Sequence, residues 1–220
     1  MQTVLWSRSE GARGRTAAVK FQQVYAVVDS EFRLLWVGGE WDEFALQNAA
    51  QHALANHVLS TSLLAHIAGE ETRELIASMV GTVLKTKRPL RMEYRCDSPN
   101  MARAYLLTIQ PMKDDRALMV HDLKDAWHFS PPLNRWNYDP QARDCKCSFC
   151  GDIRFGVTQE WTSCDDIGDR HPALVYYEVC NSCREAATKV VEDVLRGDEV
   201  SLALDDDRLS EVRQARDHSE

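Results

Sequence analysis

The sequence predicts an α+β protein: a five-stranded antiparallel sheet with helices on one face, followed by a small cysteine-rich module and a C-terminal helix. Three observations lead to this prediction. Two strand-like segments precede a helical region, and three more strand-like segments follow it. One of the later segments alternates strictly between apolar and charged residues, as a half-buried antiparallel strand does. Four cysteines form two C-x-x-C pairs toward the C-terminal end.

Length and composition limit the class of protein. The length of 220 residues suits one large domain or two small ones. With 44% hydrophobic and 27% charged residues, the composition is that of a folded globular protein. No apolar run approaches the ~18 residues of a membrane helix, and residues 1–20 lack the pattern of a secretory signal. We therefore expect no membrane insertion, a flexible basic N-terminus over residues 1–20 and a cytoplasmic location.

The first elements along the chain are a hairpin and a helical region. Residues 21–28 and 32–37 are rich in β-branched and aromatic residues, and a short polar turn joins them. A mixed helical stretch follows. Residues 70–87 then form the clearest helix, with glutamates at its start, basic residues at its end and Pro89 stopping it. Its apolar stripe at helical spacing consists of Leu75, Ile76, Met79, Val80, Val83 and Leu84.

Three strands complete the predicted sheet, over residues 91–97, 102–110 and 116–123. In the first of them Met92, Tyr94 and Cys96 point one way. The charged series on and beside this strand is predicted to be a solvated sheet face or a partner surface; it comprises Arg91, Glu93, Arg95, Asp97 and Arg103.

Residues 20–125 resemble a PAS domain in this order of elements. More narrowly, they resemble small bacterial PAS-like proteins through two motifs. The first is W-x-x-F-A-x-x-N, formed by Trp41, Phe44, Ala45 and Asn48, and the second is R-C-D-S-P at residues 95–99. The resemblance implies a signalling role, a homodimer or a protein signalling partner, and a ligand held between the sheet and the helices.

The candidate ligand pocket comprises Trp41, Phe44, Met92, Tyr94 and Cys96. The same side chains are also compatible with a closed core. Haem would need an axial ligand, usually histidine, and His52, His57 and His66 lie in the helical region. A lone histidine there is more often hydrogen-bonded or exposed than bound to haem. The sequence therefore does not predict whether this domain binds haem or another small molecule.

The cysteine pairs predict a metal site. Cys147 and Cys150 form one pair, and Cys180 and Cys183 form the other after 29 intervening residues. Two such turns supply the four thiolates of a tetrahedral zinc site, and Gly151 suits the bend after the first pair. We therefore predict structural Zn²⁺ in a zinc-ribbon-like module over residues 144–190, reached by a linker at 126–143 and followed by an acidic helical or disordered tail at 191–220.

This module also resembles a cysteine-rich segment that follows PAS domains in some bacterial signalling proteins. The shared features are C-S-F-C, Trp161 and the second C-x-x-C. The sequence departs from that pattern between the pairs, where it adds Cys164 and His171. Whether Cys145, Cys164 or His171 replaces one of the four ligands stays open.

Other chemistries fit the cysteines less well. The pairs could form disulfides in a thiol redox sensor, or the four thiols could be unrelated core residues. Four thiolates close a zinc site to substrate, and no nucleophile–base pair or carboxylate dyad stands out, so the sequence predicts no enzyme.

The charge of the chain bears on its partners. The formal net charge is −8, and residues 144–190 carry eight acidic and five basic side chains. Such a module repels phosphate backbones, so nucleic acid is not an expected partner. The prediction is a signal-sensing or adaptor protein that acts through protein contacts. The alternatives are a thiol or zinc redox sensor and a zinc-ribbon transcription regulator.

Overall fold

The computed structural model describes residues 23–48 and 50–198. The predictions for residues 1–20 and for the tail beyond residue 198 lie outside the described residues. The first sheet contains β1 (Gln23–Val28), β2 (Leu34–Gly39), β3 (Leu90–Arg95), β4 (Met101–Met112) and β5 (Arg116–His128). These strands are antiparallel and follow the order β2-β1-β5-β4-β3. The predicted fold class is confirmed.

The helices between the second and third strands cover one face of this sheet. They are α1 (Trp41–Gln47), α2 (Ala55–Val58) and α3 (Glu70–Thr86), with two short 3-10 turns between them. The apolar stripe of α3 points inward, and Met79, Val80 and Val83 are fully buried. The helix ends where Lys87 adopts a left-handed backbone conformation with φ of 55°, two residues before Pro89.

The hairpin of β4 and β5 is longer than the sequence predicts. Its pairing extends from Met112 and Arg116 to Met101 and His128. The far end of this hairpin is covered by residues 137–196, which we call the cysteine module. Ala102 and Phe129 are buried there in a second apolar cluster. The extra length therefore depends on contacts with residues distant in sequence.

The second sheet belongs to the cysteine module. It contains β6 (Asn137–Tyr138), β7 (Cys145–Cys147), β8 (Ile153–Arg154), β9 (Trp161–Thr162) and β10 (Leu174–Glu178) in the order β6-β10-β7-β8-β9. Strand β10 runs parallel to both β6 and β7. Two helices complete the module, α4 (Cys164–Ile167) and α5 (Asn181–Arg196).

The module and the first sheet share one apolar core. Helix α5 packs against α3 and β3. The side chains of Ala187, Val191 and Val194 on α5 join the buried cluster that contains Met79 and Val83 of α3. Within the described part of the chain, no helix combines the length and apolar character needed to cross a membrane.

Candidate metal centre

The four cysteines of the two C-x-x-C pairs converge on one point. They are Cys147, Cys150, Cys180 and Cys183; all are buried, and their sulfur atoms lie within 4.8 Å of one another. The Sγ atoms of Cys150 and Cys180 are 3.8 Å apart. Four sulfurs at about 2.3 Å from a tetrahedral metal are separated by about 3.8 Å. The cluster can therefore hold a metal ion.

Two short turns position these thiols; we call residues 147–150 the first knuckle and residues 180–183 the second. The first knuckle closes through a hydrogen bond from the Gly151 amide to the Cys147 carbonyl at 3.0 Å. Gly151 has φ of 80°, a conformation that glycine adopts without steric cost. In the second knuckle, Cys180 occupies the N-cap position of α5 and Cys183 lies in the first turn of this helix.

Hydrogen bonds within the cluster lower the pKa of one thiol, Cys147, and raise the pKa values of Cys150 and Cys183. The pKa of Cys147 is lowered because the neighbouring thiols, Cys150 first, donate hydrogen bonds to its sulfur. The backbone N–H of Cys180 also points at the Cys147 sulfur, at 3.4 Å. Donors of this kind stabilise negative charge on sulfur, which is the form that binds a metal.

Three other candidate ligands lie outside this cluster. Cys145 and Cys164 are buried, and burial raises the pKa of each thiol to about 12. His171 is 1% exposed, and its Nδ1 lies 2.9 Å from the Pro172 carbonyl while its Nε2 lies 3.2 Å from Lys146 Nζ. Both ring nitrogens therefore have polar neighbours within the protein.

Two of the candidate pocket residues, Trp41 and Phe44, lie on α1, and Met92 lies on β3. Met92 belongs to the buried core cluster, and Trp41 packs against it while donating from its indole nitrogen to the Ala53 carbonyl at 2.8 Å. The Phe44 ring meets Tyr105 edge to face at 6.2 Å between centroids. These three predicted pocket residues thus contact neighbouring protein groups.

Tyr94 and Cys96 occupy the polar end of the same region. Tyr94 stacks on Tyr105 at 5.6 Å, and its hydroxyl lies 2.8 Å from His121 Nδ1. Cys96 is partly buried, and burial raises the pKa of its thiol. A ligand pocket formed by these residues stays a prediction.

The pKa of the His121 imidazole tests whether water is excluded from this region. Burial away from water lowers its pKa from 6.5 to about 4. The unfolded chain therefore takes up a proton near pH 6.5 that the folded protein takes up only near pH 4. We expect the free energy of unfolding to fall as the pH drops through this window.

Histidine NMR titration measures this directly. The ring signals of His121 should keep their neutral shifts down to about pH 5, given the pKa of about 4. His121→Gln should reduce the pH dependence of stability but not abolish it, because burial also lowers the pKa of His171 to about 4. A ring that titrates near its ordinary value would contradict the prediction.

The structure corrects one expectation for the charged series. Arg103 is 5% exposed, and the side chains of Arg95 and Asp97 are 10% and 1% exposed, so these three are not part of a solvated face. The cysteine module covers Arg95, which forms two hydrogen bonds to Asp165 at 3.0 and 3.2 Å and lies over the Trp127 ring.

Arg103 joins the two sequence motifs, a role that the sequence did not reveal. Its guanidinium donates to the Asn48 side-chain oxygen at 2.6 Å and to the Cys96 carbonyl at 2.8 Å. Asn48 belongs to the first motif and Cys96 to the second. The two motifs are therefore parts of one hydrogen-bonded assembly.

Comparisons with known proteins give a distant structural likeness and no family match. Neither a scan against protein-family models nor a search of curated proteins gives a match. Among solved structures, the chain is similar to a domain of an HTR-like protein from Haloarcula marismortui, with a TM-score of 0.36 and 14% sequence identity. The alignment covers 47% of this chain and 98% of that domain.

Proposed function

We propose that this protein is a cytoplasmic signal-sensing or adaptor protein in which a PAS-like domain is coupled to a structural zinc module. It acts through protein–protein contacts and is not an enzyme. The observation that carries the proposal is the closed set of four buried cysteines, whose sulfur atoms lie within 4.8 Å of one another in the same apolar core as α3. A metal in this position stabilises a fold.

The donor set supports zinc as the resident metal. Four thiolates in a tetrahedral arrangement are typical of structural Zn²⁺ or of iron–sulfur chemistry. The four cysteines are all buried, and a zinc ion bound by four thiolates keeps no open position for water or substrate. When bound, zinc would cross-link the two knuckles, and catalysis at this site is not expected.

Native mass spectrometry of untagged protein tests the proposal. We expect one zinc per chain, and the same spectrum reports any retained small molecule and whether the protein is a homodimer. An absorption spectrum of the same protein provides a second measurement, and strong visible absorption from iron would contradict the assignment of zinc. A protein that neither contains zinc after purification under reducing conditions nor takes it up on titration would contradict the proposed zinc module.

A thiol redox sensor is the second candidate, and the close approach of the two pairs favours it. Cys150 and Cys180, from different knuckles, are 3.8 Å apart at sulfur. Mild peroxide would oxidise two thiolates to a disulfide, releasing zinc while the peroxide is reduced to water. Metal release with a disulfide between Cys150 and Cys180, or within either pair (Cys147 with Cys150, Cys180 with Cys183), would support this function. An unchanged free-thiol count after treatment would eliminate it.

A further inference from the structure

Each knuckle of the cysteine cluster is attached to the PAS-like domain by hydrogen bonds. In the first knuckle, the Phe149 carbonyl accepts from the backbone N–H of Arg95 at 2.6 Å. Arg95 is the last residue of β3, which lies at one edge of the first sheet. The Ser148 hydroxyl lies 2.6 Å from the Thr72 hydroxyl in the first turn of α3. The residues between the two ligands thus contact two elements of the sheet domain.

The second knuckle is held at both ends by one side chain, Glu71. One carboxylate oxygen accepts from the backbone N–H of Val179 at 3.1 Å, and Val179 immediately precedes Cys180. The other oxygen forms an ion pair with Arg184 at 2.6 Å, and Arg184 immediately follows Cys183. Both of these hydrogen bonds lower the pKa of Glu71, with the Arg184 contribution the larger, although burial acts in the opposite direction.

The backbone at the start of α3 approaches the module closely. Gly69, which precedes α3, has φ of 87°, and a Cβ atom at this position would lie 2.7 Å from the Tyr177 carbonyl oxygen. A larger residue at position 69 would force these two segments of the chain apart. The first turn of α3 is therefore fitted against the segment that leads into the second knuckle.

We infer that Glu71 is a positioning residue for the metal centre and that it couples metal binding to the packing of α3. This inference rests on the proposed function, because it requires that the cysteine cluster binds a metal. Groups that orient ligands from outside the first coordination sphere commonly change metal affinity when they are removed. Because coupling between two binding equilibria is reciprocal, metal binding also stabilises the contact between α3 and the module.

The consequence is a regulatory connection between the two parts of the chain. A signal that shifts α3 within the PAS-like domain weakens the contacts of Glu71 with Val179 and Arg184. The second knuckle is then less well positioned, and metal affinity falls. Conversely, loss of the metal releases Val179 and Arg184 from Glu71 and frees the first turn of α3. The metal affinity of the cluster therefore depends on the position of α3 in the PAS-like domain.

The test compares Glu71→Gln with the matched control Glu70→Gln, which removes the same charge one residue away at an exposed position. Metal-free protein is titrated with Zn²⁺ against a chelator of known affinity. We expect Glu71→Gln to raise the zinc dissociation constant by roughly 10-fold or more, and Glu70→Gln to leave it unchanged. Co²⁺ bound to Glu71→Gln should also show altered visible absorption, which reports the geometry of its thiolate ligands.

Two further measurements cover the case in which Glu71→Gln does not fold. Arg184→Gln removes the other partner and should weaken zinc binding in the same direction. In the wild-type protein, zinc should slow hydrogen exchange of the amides in the first turn of α3 and at the end of β3.

The outcomes separate the two proposals. If the wild-type protein binds zinc but Glu71→Gln and Arg184→Gln bind it equally well, the inference is wrong and the zinc module stands. The inference is also wrong if zinc leaves hydrogen exchange in α3 unchanged. If the wild-type protein takes up no zinc, the proposed zinc module itself fails.

Discussion

Cys147→Ser is expected to lose the metal and, with it, the fold of the cysteine module. The strands of the second sheet have between two and five residues each, so they provide little stability on their own. Structural zinc contributes an apparent ~10–16 kcal/mol in small modules. Because Cys147 lies in the same buried cluster as α3, we expect the loss to lower the thermal stability of the first sheet as well.

Elemental analysis and thermal unfolding measure this effect, and Cys180→Ser should behave in the same way. Cys145→Ser is the matched control, because Cys145 is also buried and lies two residues away but outside the cluster of four. It should retain one metal per chain. A Cys147→Ser protein with a full complement of metal, or a Cys145→Ser protein without it, would contradict the assignment of the ligands.

Asp97→Ala is expected to destabilise the protein by about 3–5 kcal/mol, the usual cost of removing one partner from a buried ion pair. The Asp97 carboxylate is 1% exposed and lies 3.0 Å from the Arg95 guanidinium, and it also accepts from the backbone N–H of Arg103 at 3.0 Å. The substitution leaves the Arg95 charge buried with only Asp165 to compensate it, and leaves the Arg103 amide without this acceptor.

Chemical denaturation provides the measurement, and Asp115→Ala provides the control. Asp115 pairs with Lys87 at 2.6 Å, but their side chains are 75% and 52% exposed, so its loss should cost about 0–1 kcal/mol. Replacing both buried partners, as in Arg95→Met with Asp97→Leu, should cost less than Asp97→Ala alone because no charge is left unpaired. Equal free energies of unfolding for Asp97→Ala and Asp115→Ala would show that the buried Arg95–Asp97 pair contributes no more to stability than the exposed pair.

Local sequence patterns were sufficient to locate α3 and the five strands of the first sheet, although not the full length of β4 and β5. The apolar stripe of 70–87 predicted the helix that is observed at Glu70–Thr86, because a helix that packs by one face carries its period in the sequence. The cysteine pairs were recognisable for a similar reason, since two residues of spacing allow both sulfurs of a turn to reach one point. Both features depend on residues that are near one another in the chain.

Long-range contacts could not be predicted in this way. The alternation of 91–97 assigned Arg95 and Asp97 to a solvated face or a partner surface, but they are covered by a module of the same chain. That module includes Asp165, 70 residues away from Arg95. The glutamates at the start of α3 suggested only a favourable interaction with the helix dipole, whereas Glu71 binds Val179 across 108 residues. A single sequence carries no signal of such pairings.

The shared core has a consequence for synthesis on the ribosome. The first sheet is complete once His128 has been made, but the helix that covers α3 ends at Arg196. At about 5–20 residues per second, this interval lasts roughly 3–14 s. During that time the apolar side of α3 that later contacts α5 is uncovered in the growing chain. Apolar surface that is exposed in a nascent chain favours chaperone binding, and this exposure ends when α5 emerges from the ribosome.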